Sequence, residues 1–207
     1  LASQVTTTNY LNELANKFNA DWSKIKSALI LDKRISKNSY LNPGLGISGG
    51  NIERDLVSIS SLKRKNKLVF DLTQHFISAS HRSKNWPYIK IKKFLKKNSK
   101  VGILGFTYKE NTISFKNAPS INLISKIGKN RCIVHDKKNK LIKTGNKIKF
   151  LELSKILSNS NYIIILHNIS EYKKINFKKY KNIKIVVDPF KIIDKKNLDT
   201  KQRYFCL

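Results

Sequence analysis

The chain has 207 residues, 40% of them hydrophobic, so it is long enough to bury one or two cores. Its 42 lysines and arginines against 13 acidic residues give a formal net charge of +29. No stretch approaches the roughly 18 consecutive apolar residues of a membrane span, and no signal peptide opens the chain, so we expect a cytoplasmic protein with no membrane partner.

The first part of the chain is predicted to be helical. Apolar residues recur there at three- and four-residue spacing, and Asp21 is a good N-cap. Pro87 is expected to start or break a helix, and the lysine-rich segment 90–100 fits a helix with a solvated face. Helices are predicted over residues 1–18, 22–31, 52–62 and 67–83, the last with Leu68 and Phe70 on its apolar face.

A glycine-rich segment interrupts these helices at Asn42-Pro43-Gly44-Leu45-Gly46-Ile47-Ser48-Gly49-Gly50. It holds four of the eight glycines in the chain. Glycine lets a backbone approach a ligand closely, and the helix that follows directs its N-terminus to the same place, which favours anions. The segment therefore predicts a ligand-binding loop. A plain turn between helices is the alternative, and no strand precedes it, so it is not a dinucleotide fingerprint.

The second part alternates short apolar runs with helical patterns. This alternation predicts a parallel sheet with helical crossovers, a Rossmann-like arrangement that binds ligands at the carboxyl ends of its strands. Strands are predicted at 101–106, 131–134, 162–166 and 183–187, with helices over 119–128 and 151–157. The strand ends that would meet at one edge are 106–116, 135–136, 167–170 and 188–191.

Several segments, in order, resemble the UDP-glucose/GDP-mannose dehydrogenases. These are NELA and DKRI, then NPGLGISGGNIERDL, and later VGILGFTYKENTISFKNAPSI, followed by the strands around IVHD and YIIILHNISEY. The resemblance covers nearly the whole chain but only the central and C-terminal parts of the family. It implies an all-helical dimerisation core over residues 1–97 with a substrate loop at 42–55, then a Rossmann-like parallel α/β nucleotide-sugar-binding domain over 98–207.

The resemblance also implies an activity and its partners. Members of the family oxidise the C6 alcohol of a nucleotide sugar toward the uronic acid, with NAD as cofactor, in polysaccharide biosynthesis. We therefore expect a nucleotide sugar, of the UDP type, as ligand and a homodimer as the assembly. The family's first NAD-binding domain would precede Leu1, and the chain contains no methionine, so we expect a fragment or a processed product.

Residue roles transfer only where this sequence matches the family. Asp55 matches a catalytic aspartate. Arg54 and Lys116 lie at positions on the cofactor side. The positions matching substrate contacts are Arg34, Tyr40, Asn42, Gly46, Gly49 and Lys109.

One position departs from the pattern, because Asn51 occupies the place of the catalytic cysteine. An amide cannot replace a thiolate as nucleophile, and neither Cys132 nor Cys206 lies near the loop in sequence. This chain alone is therefore expected to be inactive. No pair of histidines has metal-ligand spacing, and no metal is expected.

Two other functions stay open beside the dehydrogenase. One is a non-catalytic dimer that binds nucleotide sugar. The other is a basic nucleic-acid-binding protein, which the charge alone would favour. A coding bias toward Lys, Asn and Ile explains the same charge without a function, so nucleic acid is the less favoured partner.

Overall fold

A computed structural model describes residues 1–67, 71–138, 141–142, 144 and 148–207. The elements of the first part are four helices, α1 (Ala2–Lys17), α2 (Trp22–Leu29), α3 (Asn51–Lys65) and α4 (Leu72–Ile91). The rest is β1 (Val101–Leu104), α5 (Pro119–Ile127), β2 (Cys132–His135), α6 (Leu153–Asn159), β3 (Tyr162–Ile165), α7 (Ser170–Lys173), β4 (Ile185–Asp188) and β5 (Arg203–Cys206). Among these residues no helix is long and apolar enough to cross a membrane.

The chain divides into two compact units. The first contains residues 1–47 and 51–83, and the second contains residues 48–50 and 84–206. The division falls at Ser83/Lys84, whereas the sequence places a domain boundary at 97/98, and part of the glycine loop groups with the second unit. The boundary at 97/98 stays a prediction.

The first three helices begin within one residue of the predicted positions, whereas α4 begins at Leu72 and not at Lys67. Asp21 caps α2, since its carboxylate accepts a hydrogen bond from the Ser23 amide at 2.9 Å. A small core joins α1 to the glycine loop and to α3 through Ala2, Ile47 and Leu56. Leu68 and Phe70, predicted on the face of the fourth helix, lie outside the described residues.

The expectation for Pro87 is wrong. Pro87 is buried inside α4, which continues to Ile91 and is followed by a short 3-10 turn over Lys92–Phe94. An internal proline removes one backbone hydrogen bond. Burial of the helix around it, including the fully buried Ile91, compensates for that loss.

The second unit is built on a five-stranded sheet in the order β2-β1-β3-β4-β5, with every neighbouring pair parallel. The register places Val101 beside Cys132 on one side and beside Tyr162 on the other. Strands β1 to β4 are buried along their whole length, as expected of a sheet covered on both faces. The predicted fold class, a helical region followed by a Rossmann-like parallel α/β domain, is confirmed.

Strand β5 was not predicted from the sequence. Its four residues, Arg-Tyr-Phe-Cys, are partly exposed, and their apolar run is shorter than the about four to eight residues that indicate a buried strand. The strand forms because it extends the parallel sheet at the edge next to β4. Tertiary pairing rather than local pattern specifies it.

Candidate functional site

Loops from three neighbouring strands meet at the carboxyl edge of the sheet. They enclose a cleft of about 180 Å³. Three of the four strand ends predicted from the sequence contribute to its lining, while the segment 188–191 does not. The lining residues are Glu110, Asn111, Asp136, Lys137, Lys138, His167, Asn168, Ile169 and Ser170.

Asp136, the first residue after β2, organises the wall of this cleft. Its Oδ2 accepts hydrogen bonds from the Phe106 amide at 2.9 Å and from the Thr107 amide and Oγ1, each at 3.2 Å. Its Oδ1 accepts one from the Lys138 amide at 3.0 Å. Burial alone would raise the pKa of Asp136, but these backbone hydrogen bonds outweigh it and hold the pKa below its usual value.

His167 closes the wall from the end of β3. Its Nε2 lies 2.9 Å from the Thr107 carbonyl oxygen, and its Nδ1 lies 3.9 Å from Asp136 Oδ2. The ring sits against Gly105, where a Cβ would come within 2.5 Å of it, and Gly105 has φ +103°. Only glycine therefore fits between β1 and this histidine.

A second buried pair lies behind the cleft. His135 Nδ1 is 2.8 Å from the Tyr172 hydroxyl, and both side chains are buried. Burial lowers the pKa of His135 against the opposing field of Glu171, whose Oε1 is 4.0 Å from Nε2. Burial also raises the pKa of Tyr172. The imidazole is therefore held neutral at pH 7 and serves as a hydrogen-bond partner within the wall.

Several of the predicted ligand residues come together in the second unit. A Cβ on Gly49, which has φ +82°, would lie 3.0 Å from the Tyr108 ring. Lys109 Nζ lies 5.4 Å from the centroid of the same ring, and the Lys116 stem packs at Gly50. The structure thus groups Gly49, Lys109 and Lys116, which the resemblance assigned to substrate and cofactor.

The other predicted substrate residues lie in the first unit. The exposed Arg34 pairs with Asp32 at 2.6 Å, which lowers the pKa of that carboxyl. The Tyr40 side chain is half-exposed, and Asn42 Oδ1 accepts a hydrogen bond from Lys26 at 2.6 Å. Gly46 has φ +79° and no room for a Cβ.

Two side chains outside the glycine loop hold its first half in place. Asn9 Oδ1 accepts a hydrogen bond from the Gly44 amide at 2.8 Å. Ser80 Oγ accepts one from the Ile47 amide at 2.8 Å and donates one to the Ile47 carbonyl oxygen at 3.2 Å. Hydrogen bonds to Gly44 and Ile47 thus fix the backbone of the first half of the loop.

Asn51, in the place of the family's nucleophile, is the exposed first residue of α3. Arg54 and Asp55, predicted on the cofactor side and in catalysis, pair with each other at 3.1 Å and are both largely exposed. Burial raises the pKa of Cys132 to about 12, and burial also raises that of Cys206. Neither thiol has the lowered pKa of a nucleophile.

Sequence reasoning located the strand ends but assigned no role to the side chains that form the wall. Asp136 directly follows β2 and His167 follows β3 after one residue, which was a usable signal. Thr107 carried no signal, because its part depends on the tertiary contact with Asp136.

Residues 102–197 match the model of the "UDP-glucose/GDP-mannose dehydrogenase family, UDP binding domain", and residues 1–81 match the central domain of the same family. The chain belongs to the UDP-glucose/GDP-mannose dehydrogenase family. The carboxyl-edge cleft and its wall of Asp136 and His167 thus lie within the UDP-binding domain.

Individual members give the same assignment at low identity. The UDP-glucose 6-dehydrogenase of Rickettsia prowazekii is 24% identical over 208 residues, which is 96% of this chain and 47% of that protein. The putative UDP-glucose 6-dehydrogenase YtcA of Bacillus subtilis is 28% identical over 141 residues, 65% of this chain and 32% of its own length. The chain spans about half the length of the first of these relatives.

Solved structures share the fold. A UDP-glucose dehydrogenase from Pyrobaculum islandicum matches with a TM-score of 0.81 at 20% identity, covering 99% of this chain and 47% of the other. GDP-mannose dehydrogenase from Pseudomonas aeruginosa matches with a TM-score of 0.68 at 16% identity, covering 99% of this chain and 50% of the other.

Proposed function

We propose that this chain binds a UDP-sugar and forms the nucleotide-sugar-binding part of an NAD-dependent nucleotide-sugar 6-dehydrogenase. That activity would oxidise the C6 alcohol toward the uronic acid for polysaccharide biosynthesis. The observation that supports it best is the cleft at the carboxyl edge of a parallel sheet, inside the segment matched by the UDP-binding domain model. Such edges are where open parallel sheets bind nucleotides.

The residues around the cleft suit a diphosphate. Lys137 and Lys138 line it, and Lys109 is exposed on the loop that follows β1. Cations of this kind bind phosphate oxygens through charge-assisted hydrogen bonds. Asp136 and His167 make their bonds within the wall, so in this proposal they position the loop rather than contact the anion.

NAD enters the proposal only through the family. The loop after β1 runs from Gly105 to Ala118 before α5 begins, so no tight glycine turn presents a helix N-terminus to a pyrophosphate there. Arg54 is paired with Asp55, and Lys116 packs its stem at Gly50. These residues do not form a dinucleotide site by themselves, and we derive no step through the cofactor.

The second candidate is a non-catalytic protein that binds nucleotide sugar, and one observation favours it. Asn51 stands in the nucleophile's place, while the two thiols in the chain have raised pKa values and lie in strands. The thioester step of the family then has no nucleophile. In this candidate the chain keeps the ligand and catalyses no oxidation.

We also propose a homodimer formed through the first unit. Helices α1 and α3, with the C-cap residue Phe18, leave large apolar side chains at least half exposed, including Tyr10, Val57 and Leu62. Contiguous exposed apolar side chains of this kind often mark a protein–protein interface. Sedimentation equilibrium should give twice the monomer mass, and a monomer at micromolar concentration would contradict the proposal.

Binding is tested by calorimetric titration of the chain with UDP-glucose, GDP-mannose and free glucose. We expect UDP-glucose to bind and glucose not to bind. Replacing Lys137 by alanine should weaken UDP-glucose about tenfold, since a charged hydrogen bond is lost. Lys129→Ala, an exposed lysine outside the cleft, is the matched control. Absence of binding by either nucleotide sugar at millimolar concentration would refute the proposal.

Turnover separates the two candidates. An NAD-binding domain from a relative is fused to this chain, with Asn51 or with Asn51→Cys, and NADH production from UDP-glucose is followed. Production that requires the cysteine favours a dehydrogenase that has lost its nucleophile. Binding with no NADH from either fusion favours the non-catalytic protein.

A further inference from the structure

A larger groove lies at the other edge of the same sheet. Strands β3, β4 and β5 begin there, and the groove of about 790 Å³ is closed on one side by the 3-10 turn after α4. The whole lining belongs to the second unit. Because all five strands are parallel, this amino edge is opposite to the carboxyl-edge cleft. Its volume is within the ordinary range for a small-molecule site.

The lining is far more basic than the chain as a whole. Six of its thirteen residues are cations, compared with 42 in 207 for the full chain, so the overall composition does not account for them. The groove has one acidic residue, Asp199, which already pairs with Lys181 at 2.5 Å. Within the described residues no ion pair joins the other five cations to a carboxylate. These five are Lys93, Lys96, Lys184, Lys201 and Arg203.

Two hydrogen-bonded side chains fix the walls of the groove. The Tyr162 hydroxyl donates to the Phe94 carbonyl oxygen at 2.6 Å, which ties the 3-10 turn to β3. Gln202 Nε2 donates to three carbonyl oxygens, among them that of Phe177 at 3.1 Å, and its Oε1 accepts from the Asp199 amide at 3.0 Å. The cations are therefore carried on walls that are formed before any ligand arrives, which reduces the entropy cost of binding.

The aromatic residues of the groove argue against a nucleobase as the recognised group. Tyr162 is 4% exposed, and the Phe94 ring carries the Arg203 guanidinium 4.7 Å from its centroid. Stacking platforms for bases need a free ring face. What the groove offers instead is a cluster of exposed cations beside apolar lining residues.

From this arrangement we propose that the groove binds an oligophosphate chain, as a second anion site separate from the nucleotide-sugar cleft. Three linked phosphates carry enough negative charge to engage cations on both walls at once. Lys93 and Lys96 lie on the wall after α4, and Lys184 and Lys201 lie on the wall formed by the starts of β4 and β5. The source of the phosphates is either an inorganic chain or the tail of a nucleoside triphosphate.

The test is calorimetric titration of the full chain with inorganic tripolyphosphate and, separately, with ATP. The double variant Lys184→Ala/Lys201→Ala should weaken tripolyphosphate binding about tenfold, as expected for two partly exposed charge contacts. The control Lys129→Ala/Lys155→Ala removes the same net charge from exposed sites of the same unit and should change affinity less than about twofold. Circular dichroism melting verifies that each variant is folded.

A second pair on the opposite wall, Lys93→Ala/Lys96→Ala, should reproduce the loss. Equal affinity for tripolyphosphate and ATP supports recognition of the phosphate chain itself, and tighter ATP binding would contradict the exclusion of a nucleobase drawn from the ring contacts. Equal weakening in the groove and control variants overturns the proposal, because the binding would then be a general effect of net charge. The proposal is also overturned if Lys137→Ala, and not the groove variants, weakens tripolyphosphate binding. Tighter binding of a single-stranded oligonucleotide than of tripolyphosphate would overturn it as well. No arm uses a nucleotide sugar, so this proposal and the proposed function fail independently.

Discussion

Asp136 should contribute more to the stability of the second unit than any exposed acidic residue of the chain. The variant Asp136→Asn keeps the shape of the side chain but removes its charge, and it turns an NH₂ group toward donors on one side. Four hydrogen bonds end on this carboxylate, three of them on Oδ2. The charge-assisted part of these bonds and the buried donors left without a partner amount to about 2–4 kcal/mol. We expect the free energy of unfolding to fall by that amount.

Urea denaturation followed by circular dichroism measures this loss directly. Asp194→Asn is the control, because Asp194 makes a comparable bond to the Lys196 amide at 3.0 Å but is largely exposed. The pKa of Asp136 is lower in the folded chain, so its contribution is complete above its ordinary pKa of 3.8 and disappears as the pH falls through the folded value. The difference between wild type and Asp136→Asn should therefore shrink in strong acid. A loss below about 0.5 kcal/mol at pH 7, within the scatter of surface substitutions, would refute the role given to this residue.

Three further predictions concern single positions. Gly102→Ala would place a Cβ 2.6 Å from Ile156 of α6, and this overpacking should lower the free energy of unfolding by about 1–3 kcal/mol, measured by urea denaturation. Gly128→Ala is the comparison, because its Cβ meets no atom and only the backbone strain at φ +98° is introduced. Asn51→Cys would put a thiol at the exposed start of α3, where the helix N-terminus lowers its pKa, so it should react with a disulfide reagent at pH 7 much faster than the buried Cys132; equal rates would contradict this. Because burial lowers the pKa of His135, its contribution to stability is complete above pH 6.5 and is lost as the pH falls through the folded pKa; the variant His135→Gln should show a smaller decline between pH 7 and pH 5 than wild type.

Much of the fold follows from local patterns. Strands β1 to β4 are continuous apolar runs, and α2 begins one residue after a capping aspartate. Pro87 and β5 were missed for opposite reasons. The packed surroundings of Pro87 keep a helix that its local preference would end, and the free edge of β4 recruits a strand that its own residues do not predict.

The candidate site was predictable only in part. The edge of the sheet follows from the strand ends, and the grouping of Gly49 with Lys109 follows the resemblance. The hydrogen bonds that shape the wall could not be predicted, because Asp136 and Thr107 are distant in sequence and neither residue shows a distinctive local pattern. The roles of Arg34 and Asp55 remain predictions, and the fusions with Asn51 and Asn51→Cys test that of Asn51.

The Asp136 side chain comes from one strand and secures the turn that leaves its neighbour. A substitution at position 106 or 107 that shifts those amides would leave the Asp136 carboxylate without its hydrogen-bond donors. A substitution at position 136 would leave the two amides without their acceptor. A substitution at only one of positions 107 and 136 should therefore lower stability, and we expect the residues at these two positions to change together among relatives. Paired libraries at 107 and 136 would recover functional combinations that single-site libraries at either position miss.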